Sequence, residues 1–548
     1  MNAELLLAHF NRISAAPDAV VRLRKFILDL AVRGKLVEQS PNDETASTLL
    51  KRIRHEKQKA VERGDARKEK PLPQLATDDL PFSIPTNWCW SQLAEIGFLN
   101  PRNVAAESVQ SSFVPMASIS AEYGVANAHE VRNWGDIKSG FTHFAEGDVA
   151  LAKITPCFEN GKSTVLRNLS GGIGAGTTEL HVIRPIHVSP DFVLIFLKSP
   201  YFIGSGIPKM TGTAGQKRVP TDYFAYSPFP LPPETEQQRI VAKVDELMAL
   251  CDGLEAAKRE QETRLDQLTA STHHHMNNGG DADELRGHAQ FFISHLPRLT
   301  TRPDQVKQLR QTILDLAVRG LLTRNVNDGA ATPPIPGSPA FEREICFPAT
   351  WSIQALVEIA AAIVDCPHST PHWTNEGKIC VRTNQFRPGY LDLSDVRFVS
   401  ESTYIERIDR LKPSESDILY SREGGILGIA CRIPPNTELC LGQRMMLIRS
   451  GKKTIPAYLE LVLNSPLITN LAAAKTTGGA APRINVATVK AYPIPLPPLA
   501  EQRCIVAKVD ELMALCDQLE TSLATAETET SRLLESVLHH ALQNPALA

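Results

Sequence analysis

The chain of 548 residues is 43% hydrophobic and 22% charged, and its 58 Lys and Arg against 61 Asp and Glu leave a net charge of −3. This is ordinary globular composition, long enough for several domains with full cores. It excludes a polybasic binder, so any nucleic-acid surface has to be local or shared with a partner.

Residues 1–80 read as a helical extension. Its first stretch, "MNAELLLAHFNRIS", has no long apolar core and no cleavage-like site, so no signal peptide is expected. Val20, Leu23, Ile27 and Leu30 recur at helical spacing, and "ILDLAVRG" from Ile27 predicts a helix that stops at Gly34 with Arg33 in its last turn. Between Lys51 and Lys70 stand nine Lys or Arg against four Asp or Glu. A stretch this basic is expected to be a solvated helix face; DNA or a partner subunit is the alternative.

Residues 81–233 read as a mixed α/β domain. "FVPMASI" and "GDVALAKI" predict short strands, and "SPDFVLIFLKSPYFI" predicts a helix. A Gly/Thr-rich loop ending at Arg218 follows. The longest wholly apolar run, "FVLIFL", is far too short to span a membrane. Residues 234–275 predict a long helix opened by prolines. Its apolar positions Ile240, Val244, Leu247, Cys251 and Leu254 alternate steps of four and three, a heptad seam.

From residue 276 to 340 the pattern starts again. "STHHHMNNGGDADELRGH", from Ser271, predicts a flexible join, and "GAATPPIPGSP", from Gly329, a second linker. Between them "ILDLAVRG" recurs at Ile313, with Val306, Leu309 and Leu316 on its apolar face and Gly320 at its end. Residues 341–498 form a second mixed α/β domain. Strands are expected at "KICVRT", "SDILYS" and "RMMLIRS", a helix at "TIPAYLELVLNSPLI", and a Gly/Thr-rich loop ending at Arg483. Residues 499–545 repeat the long helix, with its seam at Ile505, Val509, Leu512, Cys516 and Leu519. The thirteen residues "IVAKVDELMALCD" occur identically from Ile240 and from Ile505. Two copies of so large a unit indicate an internal pseudo-dimer, with the long helices pairing as an antiparallel coiled coil, and not a solenoid.

Signatures of chemistry are sparse. "FENGKSTV" ends like a phosphate-binding loop, but Pro156 stands where its first glycine belongs. "GGIGAGTTE" does not fit a dinucleotide fingerprint. Cys366, His368 and His372 lack a fourth ligand and the usual zinc spacing. The ten cysteines include no CxxC pair, which suits reduced thiols in a cytosol. Polar side chains do cluster in the loops of both domains. The first offers Lys153, Thr155, Asn160, Lys162, Ser163, Gln216, Lys217 and Arg218. The second offers His368, Thr370, Arg382, Asn384, Gln385, Ser421, Arg422, Gln443, Arg444 and Arg483. Arg fits guanine edges, Asn and Gln fit adenine edges, and Lys or glycine-rich backbone fits phosphates. Two other readings of the residues stay open. A metal nuclease built on Asp365, Glu376 and Lys378 predicts cleavage by the purified chain. A structural coiled-coil adaptor predicts that Arg218 and Arg422 are irrelevant to DNA selection.

At "GFTHFAEGDVALAKITPCFENGK", "DCPHSTPHWTNEG", "SDILYSREGGILG" and the twice-used joint "PLPP…EQ..IV.K.D.L…CD", the chain resembles the specificity subunits of type I restriction-modification systems. The resemblance covers nearly the whole length. It implies an α+β protein with two target recognition domains, each reading one part of a split double-stranded DNA site, and paired helices that set the unread spacer. It also implies a cytoplasmic subunit without catalytic residues or cofactors of its own. Two methyltransferase subunits are expected as partners, and two restriction subunits beyond them. S-adenosylmethionine, ATP and Mg would belong to those partners. The extension over residues 1–80 exceeds that of shorter relatives.

Overall fold

The computed structural model describes residues 16, 18–64, 71–75, 80–213, 215–278, 282–323, 347–477 and 482–543. The proline-rich linker from Gly329, the first fourteen residues and the last six of the basic stretch lie outside the described residues. The fold is α+β, and no described helix is long and apolar enough to cross a membrane. The chain divides into two units, residues 1–261 with 527–548, and residues 262–526.

Unit 1 opens with α1 (Ala19–Val32) and α2 (Ala46–Glu62). The backbone of Gly34 after α1 has φ +68° and closes the helix through Gly34 N–H to Ala31 O (3.3 Å) and Lys35 N–H to Leu30 O (3.0 Å). A Cβ on Gly34 would collide with Pro85 and sit 3.2 Å from the Trp88 ring. Gly320 in unit 2 repeats this, with φ +71° and Pro348 and Trp351 in the same places. The recurring "RG" is therefore required twice, by left-handed backbone and by close packing. Gly34→Ala is expected to lower stability by roughly 1–2 kcal/mol from backbone strain alone. Urea unfolding checks this, and an unchanged midpoint would contradict it.

Two four-stranded sheets follow in unit 1. One has the order β2 (Gly97–Leu99), β9 (Leu180–Pro185), β6 (Val149–Ala152), β7 (Ser163–Val165), all antiparallel. The other has β4 (Glu130–Asn133), β3 (Gln110–Val114), β8 (Ile173–Gly176), β5 (Thr142–Ala145), with β3 and β8 parallel. The helix expected at "SPDFVLIFLKSPYFI" is two helices, α3 (Pro190–Lys198) and α4 (Pro200–Gly206). Pro200 cannot donate within a continuing helix, and the Ser199 hydroxyl accepts from Phe202 N–H to start the new one. A two-stranded ribbon, β1 (Cys89–Gln92) with β10 (Pro228–Leu231), leads into α5 (Glu234–Asn278).

Unit 2 follows the same plan. Helices α6 (Ala282–Leu299) and α7 (Pro303–Val318) come first. The ribbon is β11 (Ser352–Ala355) with β22 (Pro493–Leu496). One sheet has the order β12 (Ala360–Asp365), β21 (Met445–Ser450), β18 (Ile418–Ser421), β19 (Ala430–Arg432). The other is β13 (Trp373–Thr374), β17 (Arg397–Val399), β14 (Lys378–Val381), β20 (Leu439–Leu441), with a small hairpin of β15 (Phe386–Arg387) and β16 (Tyr390–Leu391). The second helix expectation again splits at a Ser-Pro step, into α9 (Pro456–Asn464) and α10 (Pro466–Ala474), after α8 (Glu401–Ile408). The last helix is α11 (Leu499–Gln543). The flexible join expected from Ser271 is instead helical up to Asn278 and again from Ala282. No Pro or Gly interrupts residues 271–278, so α5 simply continues.

The seam residues have a local task. Ile240, Val244 and Cys251 are buried in one core with Leu23, Ile27 and Trp88 of unit 1, Leu247 packs at its edge, and Leu254 is half-buried. Ile505, Val509, Leu512 and Cys516 share the unit 2 core with Val306, Leu309 and Ile313, and Leu519 packs against it. Over these turns the seam is the face by which each long helix packs on its own unit, against the copied "ILDLAVRG" helix. Each such fully buried aliphatic side chain stabilises by roughly 1.5–3 kcal/mol. The "EQ" before each seam locks the joint. Gln237 accepts from Ser189 N–H (2.8 Å) and donates to Pro232 O (3.0 Å). Gln502 accepts from Ile455 N–H (2.9 Å) and donates to Pro497 O (2.9 Å). Burial raises the pKa of Glu236, against the pull of donors on Trp88 (2.9 Å) and Gln39 (2.6 Å).

Candidate nucleic-acid interface

The two units build the same polar edge from the same backbone frame. In unit 1 the β6–β9 pair runs out beyond Ala152, where Lys153 N–H donates to Glu179 O (2.9 Å). The chain then crosses to the Gly/Thr loop through an isolated Ile154–Arg218 bridge, with Thr155 N–H to Lys217 O (2.9 Å) and Val219 N–H to Lys153 O (2.8 Å). A second bridge, Thr211–Arg218, closes the loop on itself. In unit 2 the β18–β21 pair ends the same way, with Arg422 N–H donating to Arg444 O (3.1 Å). Glu423 bridges Arg483, Gly424 N–H donates to Pro482 O (2.9 Å), Ile484 N–H donates to Arg422 O (2.9 Å), and Thr477 bridges Arg483. By these backbone hydrogen bonds Lys153 is the equivalent of Arg422, Glu179 of Arg444, and Arg218 of Arg483.

Side chains on this frame differ between the units. In unit 1 the Arg218 guanidinium grips Glu179 with two bonds, Nε to Oε2 (2.9 Å) and Nη2 to Oε1 (2.8 Å), and reaches Gln216 O with Nη1 (3.1 Å). Arg218 holds the Glu179 carboxyl below its usual range. Asn160, Gln216 and Lys217 are exposed, while Lys153 and Lys162 are half-buried. Ser163 is buried inside β7 and bonds Gly161 O, so it is a strand residue and no reader. Thr155 buries its hydroxyl. Beside Lys153 a cavity of about 330 Å³ is lined by Asn100, Arg102, His143 and His181 among others. Burial pushes the His181 imidazole down to about 4, so it stays neutral, stacked on Phe224 and bonded to Val219 O (3.1 Å).

In unit 2 Arg422 is 6% exposed. Its Nε and Nη2 bond the two Asp365 oxygens at 2.8 Å each, and its Nη1 lies 2.7 Å from Glu423. The sequence reading of Arg422 as a base reader is corrected here: the guanidinium is engaged inside the unit. Ser421 is likewise buried, its hydroxyl donating to Ile426 O. Gln385 is buried too, capping its own turn from Arg382 N–H (2.8 Å) and donating to Asp395 O (2.8 Å). Arg382 pairs with Asp395 (3.1 Å), and Asn384 is exposed.

The exposed polar groups of unit 2 gather elsewhere. Arg444, at φ +69°, is exposed, and its guanidinium lies 3.6 Å from where a Cβ on Gly424 would sit. Arg483 is exposed on the adjoining bridge. Gln443 donates to His368 O (2.6 Å) and Thr370 Oγ1 (3.4 Å). His368, Thr370, Gln443, Arg444 and Arg483 therefore share one edge, rich in donors.

The nuclease and zinc arrangements do not assemble. Asp365 is taken by Arg422 and by His368 (3.2 Å), and Lys378 by Glu438 (2.5 Å). Cys366 is buried while His368 and His372 are exposed. Sequence reasoning missed Glu179 and the cavity residues Arg102, His143 and His181. Aligning "TTELHVIRP" with "GQRMMLIRS" finds Glu179 opposite Arg444.

The basic stretch is partly accounted for. Along α2, Arg54 pairs with Glu95, Arg52 with Glu234 (2.5 Å), and Lys57 donates to the carbonyls of Ala94 and Gly97. These cations fasten α2 to its own unit.

A family model of the type I restriction modification DNA specificity domain matches residues 366–527. The chain is 34% identical to the specificity subunit of the type I restriction enzyme EcoEI of Escherichia coli, across 95% of this chain and 94% of that one. It is also 34% identical to the EcoAI specificity subunit of Escherichia coli, with the same coverage. Among solved structures, the HsdS subunit from Thermoanaerobacter tengcongensis is 21% identical, with a TM-score of 0.44 over 84% of this chain and 98% of that one.

Proposed function

The chain belongs to the specificity subunits of type I restriction-modification enzymes, and from that premise we propose that its two units each read one part of a split double-stranded DNA site. It is the non-catalytic DNA-recognition component of its complex. The duplicated backbone frame carries this reading. One scaffold, used twice with a carboxylate (Glu179) and a guanidinium (Arg444) at one equivalent place, suits two readers that meet different bases. The domain limits proposed are residues 81–233 and 341–498, joined by helices 234–275 and 499–545.

Two methyltransferase subunits, with restriction subunits beyond them, are the partners proposed. The copied helices support equivalent docking surfaces. Burial explains why Ile240 and Ile505 agree, and likewise Val244 and Val509, but the identity extends to positions exposed in both copies. These are Ala242 and Ala507, Asp245 and Asp510, Glu246 and Glu511, Ala249 and Ala514, and Asp252 and Asp517. Asp252 and Asp517 pair with the equivalent arginines of the copied helices, Arg24 (2.6 Å) and Arg310 (2.7 Å), and Glu246 and Glu511 with Lys243 and Lys508 of their own helices. Agreement at the exposed alanines, which no such pair requires, supports two identical partners. Pairing of α5 and α11 as an antiparallel coiled coil is proposed to set the unread spacer, at ~1.5 Å per helical residue. S-adenosylmethionine, ATP and Mg are assigned to the partners.

Base-modification sequencing of the host genome, with and without this gene, tests the reading. Deletion is expected to erase one split adenine-methylation motif, exposing both half-sites and the spacer together. An unchanged set of motifs, with the partner methyltransferase expressed, overturns it.

A further inference from the structure

We propose that Glu179 and Arg444 are the equivalent specificity-determining residues of the two units, one reading its half-site as a hydrogen-bond acceptor and the other as a donor. The inference rests on the reading of both units as DNA readers.

The two residues occupy one place. Each is the first residue beyond the end of its central strand pair, β6–β9 or β18–β21, and each gives its carbonyl oxygen to the residue across from it, Lys153 or Arg422. Each lies one residue across the ladder from the strand extension that pairs with the Gly/Thr loop at Arg218 or Arg483. The hydrogen bonds of the frame therefore correspond, while the backbone at Arg444, unlike that at Glu179, has a positive φ and the side chains are opposite in charge. Their environments differ accordingly. Glu179 is aimed by the bidentate grip of Arg218, which engages both carboxylate oxygens yet leaves each a free lone pair. Arg444 has no carboxylate within ion-pair distance among the described residues, whereas Arg422 across the ladder holds Asp365. Its positive φ lies in the left-handed region, which a non-glycine residue occupies only when its surroundings impose it.

Opposite polarity on one scaffold has a chemical consequence. A carboxylate accepts from the amino group of cytosine or adenine, whereas a guanidinium donates two bonds to the O6 and N7 edge of guanine. Neither side chain is part of a core, so the fold tolerates exchange at both places. Arg422 and Lys153, one residue across the ladder, hold the frame.

The test uses the full chain expressed with its methyltransferase partner in cells, read by base-modification sequencing. Arg444→Ala is expected to relax one base pair, in one half of the motif only, by roughly tenfold or more in discrimination. Glu179→Gln is expected to relax one base pair in the other half only. Arg444→Lys keeps the charge but loses the two-pronged donor, so it is expected to behave like the alanine variant. Full discrimination retained in Arg444→Lys, an unchanged motif in Arg444→Ala, or a uniform loss of methylation without a change in base preference each overturns the proposal. Thermal midpoints close to that of the unmodified chain establish that these surface variants are folded. An unmodified chain that directs no split motif refutes the underlying reading instead, and is seen before any variant is made.

Discussion

Arg422→Ala is expected to destabilise unit 2 by about 3–5 kcal/mol, the usual result of stripping one partner from a buried ion pair. The guanidinium is 6% exposed and satisfies both oxygens of Asp365, a residue 57 positions away at the end of β12. Removing it leaves a half-buried carboxylate facing only the exposed imidazole of His368, and frees Glu423. It also removes the Arg422 Nη1 bond to Ile484 O (3.4 Å), next to the bridge that carries Arg483. Urea unfolding of Arg422→Ala, Asp365→Ala and the double variant measures this as a cycle. The double variant is expected to lose much less than the sum of the singles, because two absent charges leave nothing unpaired. A single-variant loss within about 0.5 kcal/mol of zero, the range of ordinary surface substitutions, would refute a buried-pair role. Arg444→Ala is expected to fall inside that range, so the two arginines separate stability from specificity.

Lys198 is expected to give unit 1 a pH dependence of its own. The residue closes α3, is 8% exposed, and donates to three backbone carbonyls: Ser120 O (3.1 Å), Ala121 O (3.0 Å) and Gly161 O (3.0 Å). Burial drives its pKa down to about 7, against a weak pull from Glu122. The sign follows from proton counting. Between about 7 and its ordinary value of 10.5 the unfolded chain holds a proton that the folded chain has released. Stability contributed by this residue therefore rises with pH across that window, by about 1.4 kcal/mol per pH unit, and levels off below it. Lys198→Met abolishes that slope and leaves three carbonyls without a donor, each lost partner costing about 1–3 kcal/mol. Urea midpoints of both proteins from pH 7 to pH 9.5 check this. Parallel curves would show that the lysine does not titrate in that window. The residue bears on function because Gly161 lies between Asn160 and Lys162, so the Lys198 side chain anchors the loop that presents them.

Much of the architecture was legible because its signals are local. "ILDLAVRG" announced a helix and its stop, since periodicity and a left-handed glycine act within a few residues. The seams were legible for the same reason, although their first turns pack on the copied "ILDLAVRG" helix of their own unit. Misreadings came where local signals were weak. Ser199-Pro200 and Ser465-Pro466 each divide a continuous apolar run into two helices. The polar stretch from Ser271 reads as a linker, but nothing in it before the glycines stops α5.

The duplication, the family, the α+β character and the set of polar residues from which the proposed readers are drawn are written in local sequence. Which of those residues are accessible follows from the fold. Arg422 and Arg444 are indistinguishable as letters, both arginines in loops beside strands. One meets Asp365 across 57 residues of chain and is buried; the other emerges beside Gly424 with no acid within reach among the described residues. Pairing over such distances is set by strand register and by the fold that creates it, and no local pattern in the sequence encodes it.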